Sequence, residues 1–359
     1  MYPIAQQVSG RFFLPLVSRS PLLTILSFRF PYAGHLIHMP THIDVLLGDY
    51  ESCVHYNNEA ILADNEAMRH SPATAGVVSF YFGYIVHNYH MLVYGAILGG
   101  MEGKAMEIAK QLNEHLTEDM FMENQNLTAY LESYSALDIH VMVRFGRWRE
   151  ILELEAPRDK RLMLFRSSSL IFARGLAHAN LGDIALAKEE ADRFDSIRKD
   201  PLAEQRILHN NSVSALLAVD APMLHGEIAY REGQHERAFQ LLREAVQLQD
   251  NLRYDEPWGK MQPIRHALGG LLLEQGHLRE AEEVFREDLK FHPKNPWALV
   301  GLIQCLKKKG DGSLCCNGDK EKGDAGSEVK ALEAILETQR KSKWADFNVT
   351  VACECCKLS

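Results

Sequence analysis

The sequence predicts an all-α protein built from stacked helix-turn-helix units. Three observations carry that expectation. Alternating β-branched runs, the mark of half-buried strands, are almost absent. Apolar residues recur instead at helical spacing: in "GHLREAEEVFREDLKFHP" (276–293), Leu278, Ala281, Val284, Phe285 and Leu289 share one stripe. A glycine opens each such helix, and another stands seven positions earlier: Gly269 before Gly276, Gly226 before Gly233, Gly175 before Gly182. The loop glycine supplies the turn, and the earlier one lets two helices approach closely.

Composition narrows the function. The chain has 359 residues, 46% of them hydrophobic and 24% charged, which suits two average domains or one elongated array. A net charge of −9 argues against nucleic acid as a partner, because phosphate binding needs clustered Lys and Arg. No run of roughly 18 apolar residues offers a membrane span.

Taken in order, residues 1–31 fit the pattern poorly. The apolar run "FFLPLVSRSPLLTILSF" is broken by Pro15, Arg19 and Pro21, and the first acidic residue is Asp44. A partial repeat and an organelle transit segment both fit that composition. Residues 32–306 form the repeat array. Its second helices are "GDYESCVHYNNEAILAD" (48–64), "GDIALAKEEADRF" (182–194), "GQHERAFQLLREAVQLQD" (233–250) and the helix after Gly276. Loop glycines are expected at Gly48, at Gly100 or Gly103, and at Gly146, Gly182, Gly233 and Gly276. Residues 307–328, "KKKGDGSLCCNGDKEKGDAGSE", lack an apolar period and read as a disordered linker. A C-terminal helix over 329–345 has Val329, Leu332, Ile335 and Leu336 on one face, fit to cap the array. Residues 346–359 are a cysteine-rich, flexible tail.

These units resemble tetratricopeptide repeats, whose second helix carries an alanine five residues after the loop glycine. Ala187, Ala238 and Ala281 match it, and Cys53 replaces it in the first unit. The resemblance implies a right-handed superhelix, an α-solenoid, with degenerate units, since the glycine intervals exceed the usual repeat of about 34 residues. A narrower resemblance rests on "AGHLIHMPTHI", "VHNYHML", "RFGRWREIL" and the stretch 263–302. These are similar to an uncharacterised, bacterial-type group of tetratricopeptide proteins with an HMP[ST]H motif. That group carries a further His-containing helix upstream, which residues 1–31 do not match.

Function is less legible. His35, His38 and His42 fall at i, i+3 and i+7, one face of a helix, and His87 and His90 repeat the i, i+3 spacing. Counting back from the loop glycines puts them on the concave groove, with Tyr84, Tyr94, Asp220, Glu227 and His266 nearby. Pro40 either starts a helix, leaving His35 and His38 in a loop, or kinks one. The leading expectation is a non-enzymatic scaffold that holds a partner peptide or ligand against His35, His38, His42, His87, His90, Tyr94, Glu227 and His266. The alternative is a metal-binding protein or metal-dependent enzyme with His38, His42, His87 and His90 on a divalent transition metal. Hydrogen-bonded packing is the third reading of the same histidines. No Gly-x-Ser-x-Gly elbow, Walker loop or dinucleotide fingerprint appears.

Seven cysteines, an odd count with three at the end, suggest a reducing compartment and a cytoplasmic protein rather than a disulfide framework. The end "CKLS" has the form of a prenylation signal on Cys356, so membrane tethering through the tail stays open.

Overall fold

The computed structural model describes residues 33–310 and 325–356. The expectations for residues 1–31, for the centre of the linker and for the last three residues lie outside the described residues. Among the described residues the fold is all-α, relieved only by one hairpin of strands Ile207–Leu208 and Asn211–Ser212. Gly48, Gly100, Gly146, Gly182, Gly233 and Gly276 all have positive φ and each links two helices. Gly100, not Gly103, makes the second turn, and Gly103 lies inside helix Glu102–His115. Gly48 is needed twice over, because a Cβ there would also run into the carbonyl of Pro293.

The glycine seven residues before a turn works as expected, by close approach. A Cβ on Gly269 would lie 2.6 Å from Cε1 of Phe285, and one on Gly175 would lie 2.8 Å from Cδ1 of Leu224. Phe285 is wholly buried between Gly269 and Gly301. Burial of such a ring contributes about 2–3 kcal/mol. Ala187, Ala238, Ala281 and Cys53 are also fully buried, so the repeated position is a helix contact in all four units.

Insertions stretch the spacing between units, among them 71–81, 116–136, 198–212 and 251–263. They hold several short elements, including the hairpin, and the hairpin packs against neighbouring helices. The C-terminal end of the array also touches the first two units. Tyr50 donates its hydroxyl proton to Pro293 O at 2.9 Å, and Trp297 Nε1 donates to Ile97 O at 3.0 Å.

The C-terminal boundaries differ from expectation. Helix Pro296–Gly310 continues through Lys307–Lys309, and the last helix, Ala325–Arg340, begins early and stops short of residue 345. Lysines in a final turn complement the helix dipole, and Lys307 and Lys309 pair with Glu333 and Glu282. Residues 346–356 are docked, which corrects the expectation of a flexible tail. Asp346 accepts hydrogen bonds from the backbone N–H groups of Glu102 and Gly103, and Phe347 N–H donates to Gly100 O at 3.1 Å. The Phe347 ring packs on Phe145 and Trp297, Val349 is buried, and Arg231 donates to Cys355 O. Composition misses this because the anchoring partners belong to other units. Cys353 and Cys355 form one local disulfide, while Cys53 and Cys305 are buried in the helical core. The side chain of Cys356, the expected lipidation site, lies outside the described residues. Among the described residues no helix is long and apolar enough to cross a membrane.

Candidate metal centre

The opening histidines sit on two short helices, Gly34–His38 and Thr41–Leu47, joined through Met39 and Pro40 in helical conformation. Of the two outcomes foreseen for Pro40, the kink is the one observed. Pro40 cannot donate a backbone hydrogen bond, so the first helix stops, but its φ of −62° suits the start of the next. The kink brings His38 and His42 together, with Nε2 atoms 2.9 Å apart. His87 arrives from helix Phe82–Gly99, its ring centroid 4.5 Å from that of His38 and 5.4 Å from that of His42. One ring nitrogen from each of His38, His42 and His87 lies within 4.8 Å of the others.

Hydrogen bonds around the cluster decide which nitrogens are bare. Asn57 donates its amide protons to Cys53 O at 2.8 Å and Thr41 Oγ1 at 3.0 Å. Its Oδ1 therefore accepts from His38 Nδ1, 2.7 Å away, and the His38 proton must be on Nδ1. His42 Nδ1 lies 2.7 Å from Glu256 Oε2, an ion-pair contact rather than an in-line hydrogen bond. His87 Nδ1 is 3.2 Å from His209 Nε2, and His209 Nδ1 is 3.1 Å from Asp255 Oδ1. With Nδ1 turned to an outer partner in all three rings, Nε2 is the nitrogen each has left. Two Nε2 lone pairs at 2.9 Å repel unless a cation stands between them. A proton on His42 can serve that pair, and a metal ion can serve all three rings.

Burial supports neutral ligands. Desolvation, followed by the His42 charge, depresses the pKa of His38 to about 3. His87 is driven down in the same way by burial and then by His38 and His209. Nearby, Asp64 is pushed up to about 6 by burial, although Asn88, Tyr81 and the Gly34 N–H all favour its ionised form. Asp64 leaves no room for a side chain at Gly34, which seats the first short helix.

The other expected groove residues are placed differently. His35 stacks on His38 and meets Tyr84 at 4.5 Å between centroids, at the edge of the cluster. His90 does not join the three: it is buried with Nε2 2.9 Å from Met261 Sδ. One helical turn separates it from His87, enough to aim it at a different insertion. Tyr94 is fully buried. Glu227 accepts from Arg231 Nε and Asn180 Nδ2, and Asp220 pairs with Lys260. His266 donates from Nε2 to Asp288 at 2.8 Å and accepts at Nδ1 from Arg144 at 3.0 Å. His90, Tyr94, Glu227 and His266 thus face other units of the same chain and are not open to an outside ligand.

Sequence reasoning missed His209, Asp255 and Glu256. All three lie in insertions between units, where no period reports on position. The only local signal was "YDEPW", an acidic pair ahead of a proline in an otherwise polar connection. No glutamate lies next to these histidines along the chain, but Glu256 stands beside His42 in space.

Chemically, three imidazoles held by oriented outer partners, with no fourth side chain in the group among the described residues, match the donor set that a zinc-type ion takes. No family model and no curated protein matches the chain.

Proposed function

We propose that this protein binds a divalent transition metal through His38, His42 and His87, leaving one coordination position open. A single observation carries the reading: three rings from two separate stretches converge, and each has its Nδ1 turned outward to Asn57, Glu256 or His209. Tetrahedral zinc, with bonds of about 2.0–2.1 Å, requires ligand nitrogens roughly 3.3 Å apart. The 2.9 Å separation of His38 and His42 and the 4.8 Å limit for the set bracket that value. The protein around the site is read as a tetratricopeptide-like α-solenoid, cytoplasmic, whose units serve to hold distant histidines in register.

The test is elemental analysis of the purified, untagged full chain beside a H38Q/H42Q/H87Q variant. Near-stoichiometric transition metal in the first and none in the second is the expected result. Folded wild-type protein that is metal-free and resists reconstitution with zinc or cobalt overturns the reading.

A docking scaffold remains the second reading, favoured by a different observation. Residues 346–347 already lie against the Gly100 turn, with Asp346 on a helix N-terminus and Phe347 against Phe145 and Trp297. A partner of that kind would bind by displacing them, and would need none of the histidines.

A further inference from the structure

His209 occupies a position that its residue type does not favour. Strands Ile207–Leu208 and Asn211–Ser212 pair with Leu208 opposite Asn211, so the hairpin loop is only His209 and Asn210. His209 has φ of +51°, and Asn210 is not among the positive-φ residues. A positive φ at the first position of a two-residue hairpin loop is the usual place for glycine and is uncommon for a residue with a side chain. A side chain held in this strained conformation is maintained by its surroundings.

The surroundings are an acidic clamp. Asp255, 3% exposed, accepts from His209 Nδ1 at 3.1 Å through one carboxylate oxygen and from Asn210 N–H at 3.1 Å through the other. Asn210 Nδ2 and the N–H of Glu256 also donate to it. Because a carboxylate only accepts, the His209 proton is fixed on Nδ1, and Nε2 presents a lone pair. That lone pair lies 3.2 Å from His87 Nδ1 and accepts its proton. The result is a chain, Asp255 to His209 to His87, which leaves His87 Nε2 bare toward His38 and His42. Plain packing of the hairpin tip would be served by glycine or asparagine and would require no buried carboxylate.

We propose that His209 and Asp255 are positioning residues of the three-histidine centre: they fix the tautomer and ring orientation of His87 and raise its affinity for the metal without binding the ion themselves. This inference rests on the metal reading above. In ordinary metal sites a single carboxylate or carbonyl plays this part. Here an imidazole on a strained turn extends the reach from the insertion at 251–263 to helix Phe82–Gly99.

The experiment uses the full chain as wild type, H209G, D255N and H209G/D255N, loaded with cobalt(II). Affinity is measured by chelator competition and the ligand set by the cobalt ligand-field spectrum. H209G and D255N are each expected to weaken binding about 10- to 100-fold. The double variant should be no weaker than the worse single one, because the two residues act in series. The spectrum at saturation should keep its band positions, since no ligand is lost. Wild-type affinity in folded H209G overturns the proposal. So does a shifted spectrum, which would make His209 a ligand. Should D255N fail to fold, H209G still decides. A wild-type chain that binds no cobalt removes the metal reading and this inference together, whereas strong wild-type binding unchanged by H209G removes only the relay.

Discussion

Asn57 Oδ1 stands 2.7 Å from His38 Nδ1, and the other two directions of that amide are already taken by Cys53 O and Thr41 Oγ1. The orientation of the amide is therefore fixed by its neighbours, and the tautomer of His38 follows from it. One buried side chain on helix Tyr50–His70 determines which nitrogen of His38 faces the cluster.

Asn57→Ala should remove that control. Three buried groups each lose one hydrogen bond, so we expect a loss of about 2–3 kcal/mol in stability. Metal affinity should fall roughly tenfold or more, since the ligand is retained but no longer oriented. Urea titration and cobalt competition on the same preparation check both. An unchanged cobalt affinity in the folded variant would show that Asn57 is only a core residue.

Acid should destabilise the fold through buried neutral histidines that are not among the three of the candidate site. Burial, and next the charge of Lys260, lowers the pKa of His140 to about 3. Burial likewise takes His266 down to about 4, against the opposing pull of Asp288. Unfolded, both would titrate near 6.5. Between about pH 6.5 and 4 the unfolded chain therefore binds more protons than the folded one. Stability is fully present above pH 6.5 and falls as the pH drops, by up to about 1.4 kcal/mol per pH unit for each such group. A urea midpoint that stays level from pH 6.5 to 4.5 would contradict this. Asp288 adds to the trend lower down, because His266 and His292, against the upward push of burial, hold its carboxyl below the usual range.

The docked tail makes a separable prediction. Asp346 closes two backbone donors at the start of helix Glu102–His115, so D346N should cost about 1 kcal/mol. F347A removes a ring packed on Phe145 and Trp297 and should cost about 2–3 kcal/mol. Limited proteolysis should then cut within 346–356 in the variants and spare the wild type. Equal cutting in all three proteins would mean that the tail is not held by these contacts.

Close helix approach can be tested where the sequence pointed to it. A Cβ at Gly269 meets Phe285 at 2.6 Å, whereas one at Gly233 meets nothing within 4 Å and is opposed only by a φ of +78°. G269A should cost about 1–3 kcal/mol from overpacking. G233A should cost about 1 kcal/mol from backbone strain. Thermal melts that rank the two the other way would remove the packing explanation for the glycine spacing.

The helical class, the six turn glycines and the buried alanine position were legible because each repeats. A 3.6-residue apolar period and a glycine at fixed distance are local signals, and local sterics enforce them wherever they occur. The three histidines of the centre were visible for the same reason, being spaced along helices. His90 shares their spacing and yet points to Met261, which period alone does not report.

What the sequence by itself determined is the set of helices, their turns and a short list of imidazoles. Tertiary structure alone decided which imidazoles meet, that Asp255, Glu256 and His209 stand behind them, and that Asp346 and Phe347 tie down the tail. The physical reason is separation. His87 and His209 are 122 residues apart and Glu102 and Asp346 are 244 apart, and the partners sit in insertions and a tail with no period of their own. Such groups are brought within hydrogen-bonding distance only by the packing of helices that lie between them in the chain.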